Sequence, residues 1–167
     1  MALFIAMIQV QACGFRPRGS VTELTDPGSI FVDASRDLSI SGALNQALRD
    51  RAFTLADNRD EADILLRLTG EQEKRRIVSV QKTGRISELE LSHAVNILIA
   101  RATENSGPVY DPEKLANRVE VIREYTYDDR GVLGKENEAR ILREEMREEL
   151  VRQIVLRTIA SLAPATS

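Results

Sequence analysis

Two stretches of this chain alternate apolar and polar residues with a period of two. The first covers residues 64–69 and the second covers residues 89–100. Side chains of a β-strand point alternately to opposite faces of a sheet. The pattern therefore predicts two long strands, each with one face against a hydrophobic core.

The two strands are predicted to form a hairpin. The segment Lys82-Thr83-Gly84-Arg85 lies between them, and Gly84 can supply the positive φ of a three-residue hairpin loop. The apolar residues predicted to face the core occupy even positions up to Leu68 and odd positions from Ile77. This switch predicts a β-bulge near Gly70. This loop sets two cross-strand pairs, Ile77 with Leu89 and Arg76 with Glu90.

Shorter patterns predict further elements on both sides of the hairpin. Ser39 or Ser41 can cap a helix that runs to about Ala52 with its apolar residues on one face. The other predicted strands are residues 30–32, 53–55 and 118–127.

A second, longer helix is predicted at the C-terminal end. It begins near Asp129 or near Glu136, and it ends at about Ala163 because Pro164 follows. Its apolar stripe consists of Leu142, Met146, Leu150, Val151, Ile154, Val155, Ile159 and Leu162. Its exposed face carries two predicted i, i+4 ion pairs, Glu136–Arg140 and Glu148–Arg152.

The element order β-α-β-β-β-β-α predicts an α+β fold. We expect a two-layer sandwich, in which a four- to five-stranded, mostly antiparallel or mixed sheet carries two helices on one face. The 167 residues suit one domain, which we place at residues 29–163 with a tail at residues 164–167. A chain of this size can bury a core without disulfides or metals.

The N-terminus resembles a bacterial lipoprotein signal peptide. Residues 1–12 are mostly apolar and carry no charge, and Cys13 follows the small residue Ala12. The apolar run is too short to span a bilayer, which takes roughly 20 residues. No basic residue precedes the run, and a start codon placed too far downstream would explain this departure. The alternative is a buried N-terminal strand with an ordinary core cysteine.

Lipidation of Cys13 would make residues 13–28 an acylated N-terminus and linker. Gly14 rather than Asp follows the cysteine, which by the lipoprotein sorting rule indicates the outer membrane. We therefore expect a lipid-anchored protein on the periplasmic face of a bacterial outer membrane. The chain has one cysteine, so no disulfide can form within it.

Composition and candidate chemistry argue against several functions. With 23 basic and 26 acidic residues the net charge is −3, and tryptophan is absent, so nucleic-acid binding is not expected. His93, the only histidine, occupies an inward apolar position that predicts a core imidazole. A turn or a helix cap explains Asp128 and Asp129. We expect no catalytic residues, no metal and no cofactor.

Positive charge is concentrated in the predicted hairpin. Its five cations fall within twelve residues that contain no Asp or Glu: Lys74, Arg75, Arg76, Lys82 and Arg85. Such a cluster suits a ligand with several phosphates. Charged side chains also protect exposed strand edges from pairing, and both interpretations remain open at this point.

Three segments resemble the family of the LPS-assembly lipoprotein LptE, and together they cover Cys13 to about Leu162. This chain departs from the family pattern in its clipped signal peptide and in Pro17. The segments are Cys13-Gly14-Phe15-x-x-Arg18-Gly19, Gly84-Arg85-Ile86-Ser87-Glu88-Leu89-Glu90-Leu91, and Tyr125-x-Tyr127-Asp128-x-x-Gly131-x-Leu133-x-Lys135-x-x-Glu138 followed by Leu142 and Met146.

The resemblance implies a non-enzymatic outer-membrane lipoprotein. Such proteins plug the LptD β-barrel, help it assemble and contact lipopolysaccharide during its insertion into the outer leaflet. The resemblance implies Cys13 as the acylated anchor, Lys82 and Lys135 as contacts for lipopolysaccharide phosphates, and Arg85 and Arg76 in support. The alternative is a tethered periplasmic adaptor or lipid-binding lipoprotein of another transport or envelope complex. A hydrolase would need turnover that depends on His93 or Asp128, which we do not expect.

Overall fold

The structure, a computed structural model, describes residues 27–35, 37–101, 117–127 and 132–162. Several predictions concern residues outside these ranges: the signal peptide at residues 1–12, lipidation of Cys13, almost all of the linker at residues 13–28, the turn at Asp128 and Asp129, and the tail at residues 164–167.

The predicted α+β class and element order are confirmed. A short 3₁₀ turn at Arg59–Glu61 precedes the third strand. The strands and α-helices, numbered in chain order, are β1 Ser29–Ala34, α1 Ser41–Arg49, β2 Thr54–Leu55, β3 Ile64–Val80, β4 Ile86–Arg101, β5 Asn117–Thr126 and α2 Val132–Leu162.

The five strands form one mixed sheet in the order β2-β1-β3-β4-β5. β1 runs parallel to both of its neighbours, whereas β3, β4 and β5 are antiparallel. The part of β3 that pairs with β1 is limited to Ile64–Leu68. Among the described strands, the second half of β3 therefore pairs on one side only, with β4.

The predicted hairpin register is confirmed. Ile77 pairs with Leu89 and Arg76 pairs with Glu90. The register shifts between Thr69 and Gln72, which is the predicted bulge, and Gly70 has φ +64° there. Gly84 has φ +80° in the hairpin turn. Two further register shifts, between Ile77 and Val80, were not predicted.

Both helices pack on one face of the sheet, which is where the core lies. α1 contributes Leu44 and Leu48, and the predicted stripe of α2 contributes Met146, Leu150 and Ile154, each fully or almost fully buried. Burying one such side chain stabilises the fold by roughly 1.5 to 3 kcal/mol. The sheet meets them with Ile30, Ile64, Leu66, Leu68, Leu89, Leu91, Val95, Ile97, Val119, Val121 and Tyr125.

The predicted cap and end of α1 were wrong. The cap position is Ile40, without a side-chain cap, and the helix ends at Arg49 rather than Ala52. Ser39 does not cap the helix because its N–H and Oγ donate to the Glu71 carboxylate at 2.7 and 2.6 Å. Ser39 therefore bonds to the Glu71 carboxylate in the bulge of β3 and not to a backbone N–H group at the start of α1.

α2 begins at Val132, between the two predicted starts, so Gly134 lies inside it. The predicted pairs Glu136–Arg140 and Glu148–Arg152 were wrong. Glu136 instead accepts from Arg75 of β3 at 3.1 Å, and Arg152 pairs with Glu149, one turn away at i, i+3. The partner of Glu136 is Arg75, which lies on the sheet and not on the helix. The spacing of residues along the helix cannot predict such a partner.

Candidate functional site

The end of the β3–β4 hairpin combines exposed apolar side chains with positive charge. We define residues 77–88 as the hairpin tip. Ile77, Val78 and Val80 are 55%, 43% and 58% exposed. These three apolar side chains therefore face solvent rather than the core. The run Ile77-Val78-Ser79-Val80 could have shown this, because it places apolar residues on both faces of one strand.

The turn at the end of the tip presents Lys82 and Arg85. Backbone hydrogen bonds close the turn, since the N–H of Gln81 donates to the carbonyl of Arg85 at 2.7 Å and the N–H of Gly84 donates to that of Gln81 at 2.8 Å. Lys82 and Arg85 are both exposed. Lys82 forms no ion pair with the described residues. Its ammonium group is therefore available to a ligand.

Arg76 is held by Glu90 on the neighbouring strand. Its Nε and Nη2 donate to the two carboxylate oxygens of Glu90 at 2.6 and 2.7 Å, a bidentate pair. The hydrogen bond that Arg76 donates to Glu90 raises the pKa of Arg76 and lowers the pKa of Glu90. Both groups remain charged, and a ligand at Arg76 must share it with Glu90.

Lys135 lies at the start of α2, away from the turn of the hairpin. Its Nζ is 2.7 Å from Glu138 Oε2, and its side chain is 25% exposed. The next residue, Glu136, bonds to Arg75, which is seven positions before Lys82 on β3. Seven strand residues span roughly 20 Å. The structure therefore places Lys82 and Lys135 at separate positions on the surface.

The basic run is divided between the two faces of the sheet. Arg75 points towards α2, where it pairs with Glu136 and its guanidinium lies 5.7 Å from the ring centre of Tyr127. Its neighbour Arg76 points to the opposite face, as alternation requires. Each of these two arginines pairs with a carboxylate, Arg75 with Glu136 and Arg76 with Glu90, and neither is part of the hairpin tip.

His93 is 2% exposed, which confirms the predicted core position. Its partner is polar, however, because Nε2 lies 2.7 Å from Glu71 Oε1. The Glu71 carboxylate also accepts from Ser39, so His93 belongs to a polar cluster that joins β4, the bulge of β3 and the start of α1.

Two broader properties concern the described residues only. Within residues 27–35, 37–101, 117–127 and 132–162, no group of three or more His, Cys, Asp or Glu side chains is arranged to hold a metal ion. No helix in this part of the chain is both long and apolar enough to span a bilayer.

Comparison with known proteins gives one consistent family. The family model described as "LptE: Lipopolysaccharide-assembly" matches residues 28–158. The chain is 27% identical to the LPS-assembly lipoprotein LptE of Yersinia pestis (strain Pestoides F) over 157 residues, which cover 93% of this chain and 72% of that protein.

Solved structures show a similar fold. The rare lipoprotein B from Shewanella oneidensis matches with a TM-score of 0.63 and 26% identity, covering 80% of this chain and 94% of that one. An uncharacterized lipoprotein B from Nitrosomonas europaea matches with a TM-score of 0.68 and 21% identity, covering 89% of this chain and 91% of that one. At 21% identity, the match to the Nitrosomonas europaea protein shows a shared fold and nothing further.

Proposed function

The chain belongs to the LptE lipopolysaccharide-assembly family, and we propose that it contacts lipopolysaccharide through its hairpin tip. Family membership supports a role for this chain in lipopolysaccharide assembly. The finer proposal is an outer-membrane lipoprotein that plugs an LptD-like β-barrel, helps it assemble and touches lipopolysaccharide on its way to the outer leaflet.

The observation that carries the proposal is the mixed chemistry of the hairpin tip. Lipopolysaccharide presents phosphates beside acyl chains. The tip presents Lys82 and Arg85 beside exposed Ile77, Val78 and Val80. Cations attract the phosphates, and the apolar side chains gain from contact with the acyl chains. Cations alone would not bind the acyl chains, and apolar side chains alone would not bind the phosphates.

The four candidate cations are not equivalent. Lys82 lies at the turn and forms no ion pair with the described residues, whereas Arg76 is bound by Glu90 and Lys135 is bound by Glu138. A phosphate must compete with a carboxylate at the last two positions. We therefore propose Lys82 as the primary contact, with Lys135, Arg85 and Arg76 in support.

Membrane attachment is proposed to depend on Cys13. Removal of residues 1–12 and acylation of Cys13 would anchor the chain, and residues 13–28 would link the anchor to the domain at residues 29–163. A single acyl chain binds membranes only reversibly, whereas several chains make attachment durable. Gly14 supports delivery to the outer membrane, with the domain on its periplasmic face.

The proposed role does not require any covalent bond to be formed or broken. The chain acts by contact with a lipid and with a barrel, so we propose no catalytic residues, metal or cofactor. A hydrolytic activity that disappears in His93→Gln would contradict this part of the proposal.

A binding measurement with purified protein tests the lipopolysaccharide contact. We expect Lys82→Glu to weaken lipopolysaccharide binding roughly tenfold and the double variant Lys82→Glu with Lys135→Glu to weaken it further, because each change replaces attraction with repulsion. Arg140→Glu is the matched control, since it makes the same charge change at an exposed position of α2. Circular dichroism confirms folding of each variant. Unchanged affinity in the double variant would refute the phosphate contact.

Two further measurements test the anchor and the partner. The mass of the mature N-terminus should equal that of a chain beginning at an acylated Cys13. Affinity purification from membranes should recover a large β-barrel protein with the acylated chain. Recovery of small soluble partners alone would favour a tethered periplasmic adaptor instead.

A further inference from the structure

A cleft of about 190 Å³ lies between the sheet and α2, apart from the hairpin turn. β3 and β4 contribute Glu73, Arg75 and His93 to its lining, and α2 contributes Arg143 and Met146. A cavity needs only roughly 10 to 15 Å³ to hold one water. The cleft therefore has room for a small ligand and is lined by two guanidinium groups against one carboxylate.

Several buried polar atoms around this cleft have no hydrogen-bond partner in the described part of the chain. They are His93 Nδ1, on a residue that lines the cleft, and the Tyr125 hydroxyl and Arg147 Nε, on residues outside the lining. Burial raises the pKa of Tyr125, so its hydroxyl keeps its proton and can donate. Arg147 Nε is always a donor. Buried donors without acceptors are rare in native proteins, and each calls for a missing partner.

The tautomer of His93 follows from its other nitrogen. Nε2 faces the Glu71 carboxylate at 2.7 Å, and that carboxylate already accepts two hydrogen bonds from Ser39. Nε2 is therefore the donor. Nδ1 is therefore the ring nitrogen that has no hydrogen-bond partner among the described residues.

We propose that this cleft binds a compact oxyanion of the phosphate class, held by Arg75 and Arg143 beside His93. Arginine presents five N–H donors in a planar fork that matches phosphate oxygens. Glu136 occupies one nitrogen of Arg75, at 3.1 Å, which leaves other donors for a ligand.

Glu73 is the one acidic side chain in the lining, and its position is compatible with the proposal. Its Oε1 lies 3.8 Å from both His93 Nδ1 and Arg147 Nη2, beyond hydrogen-bond distance. The side chain is 42% exposed, so it can turn towards solvent when a ligand enters. Glu73 thus occupies the place of an anion without a hydrogen bond to His93 or Arg147.

The single histidine makes the test direct. We expect inorganic phosphate, added at constant ionic strength, to shift the ring NMR signals of His93 in a saturable way. Arg143→Gln and Arg75→Gln should each weaken this binding roughly tenfold or more, since each removes a charged donor. Arg140→Gln, on the exposed face of the same helix, should leave it unchanged. Circular dichroism verifies that each variant is folded.

The source of the phosphate group is resolved by a second probe. Lipid A in detergent micelles, compared with micelles alone, reports a phosphate carried by a lipid. Binding of inorganic phosphate that depends on Arg143 supports a site for a free ion. Binding of lipid A alone, again dependent on Arg143, supports a site for a lipid headgroup. Absence of a saturable shift with both probes, or equal shifts in Arg143→Gln, would overturn the proposal.

The cleft and the hairpin tip can fail independently. Lys82→Glu changes the tip and should leave phosphate binding in the cleft intact. Arg143→Gln changes the cleft and leaves Lys82 and Arg85 in place. A protein that binds phosphate in the cleft but never lipopolysaccharide would refute the proposed function and retain this inference.

Discussion

Glu71 shows how one side chain can connect three elements. It lies in the bulge of β3, accepts two hydrogen bonds from Ser39 before α1, and faces His93 of β4. Burial raises the pKa of Glu71, but the hydrogen bonds from Ser39 and His93 outweigh burial and hold it below its ordinary value of 4.5. The ionised carboxylate therefore stabilises the folded state.

The direction of this pKa shift predicts how stability depends on pH. A carboxyl group whose pKa is lowered by folding contributes stability above its ordinary pKa and loses that contribution as pH falls through the folded value. We expect Glu71→Gln to lower the free energy of unfolding at pH 7 by about 1 to 3 kcal/mol, because two elements lose a charged acceptor. The variant should also lose less stability than the parent protein below pH 4.5.

Urea unfolding measured between pH 3 and pH 7, at roughly unit intervals, checks this expectation. Glu88→Gln, at an exposed position of the hairpin tip, is the control and should unfold with the acid dependence of the parent protein. Identical acid dependence for Glu71→Gln and the parent would show that Glu71 has no such role.

The hairpin and α2 place opposite demands on glycine. Gly84 has φ +80° in the hairpin turn, a conformation that strains residues with a Cβ atom. Gly134 lies in the first turn of α2, where its flexibility only weakens the helix. A Cβ atom added at either position would meet nothing within 4 Å. The effect of a substitution at either glycine therefore depends on its backbone conformation and not on steric contact.

We expect opposite changes in stability from the same substitution at these two glycines. Gly84→Ala should lower the free energy of unfolding by about 1 kcal/mol, because alanine must adopt a left-handed conformation. Gly134→Ala should raise it by about 0.5 kcal/mol, since alanine loses less entropy on entering a helix. Thermal and urea unfolding measure both. Equal signs for the two variants would contradict this account of the turn and the helix.

The whole molecule depends on contact between its two layers. Leu150 of α2 is completely buried and belongs to the core cluster that includes both helices and one face of the sheet. Leu133 of the same helix is 90% exposed. The sheet cannot bury its apolar face without α2, so the two layers should unfold together.

Truncation of these two leucines tests the shared core. Leu150→Ala should lower the free energy of unfolding by about 2 to 5 kcal/mol, through lost burial and the cavity left behind. Leu133→Ala should change it by less than about 0.5 kcal/mol. Far-ultraviolet circular dichroism and the near-ultraviolet signal of the tyrosines should give one transition. Separate transitions for helix and sheet would refute a single cooperative core.

Elements that depend on local spacing could be predicted from the sequence. Period-two alternation and Gly84 predicted the β3–β4 hairpin in its correct register, and the spacing of Met146, Leu150 and Ile154 predicted the buried face of α2. The exposed turn that carries Lys82 could also be predicted. In each case the signal lies within a few residues, because strand and helix periodicity are set by the backbone itself.

The partners of charged side chains could be decided only by tertiary structure. Glu136 binds Arg75 rather than Arg140, Ser39 binds Glu71 rather than the end of α1, and Arg143 and His93 line the same cleft. Each pair joins residues far apart in sequence, brought together by helix packing on the sheet. Hydrogen bonds and ion pairs form with the nearest suitable group in space, and distance along the chain does not determine which group that is.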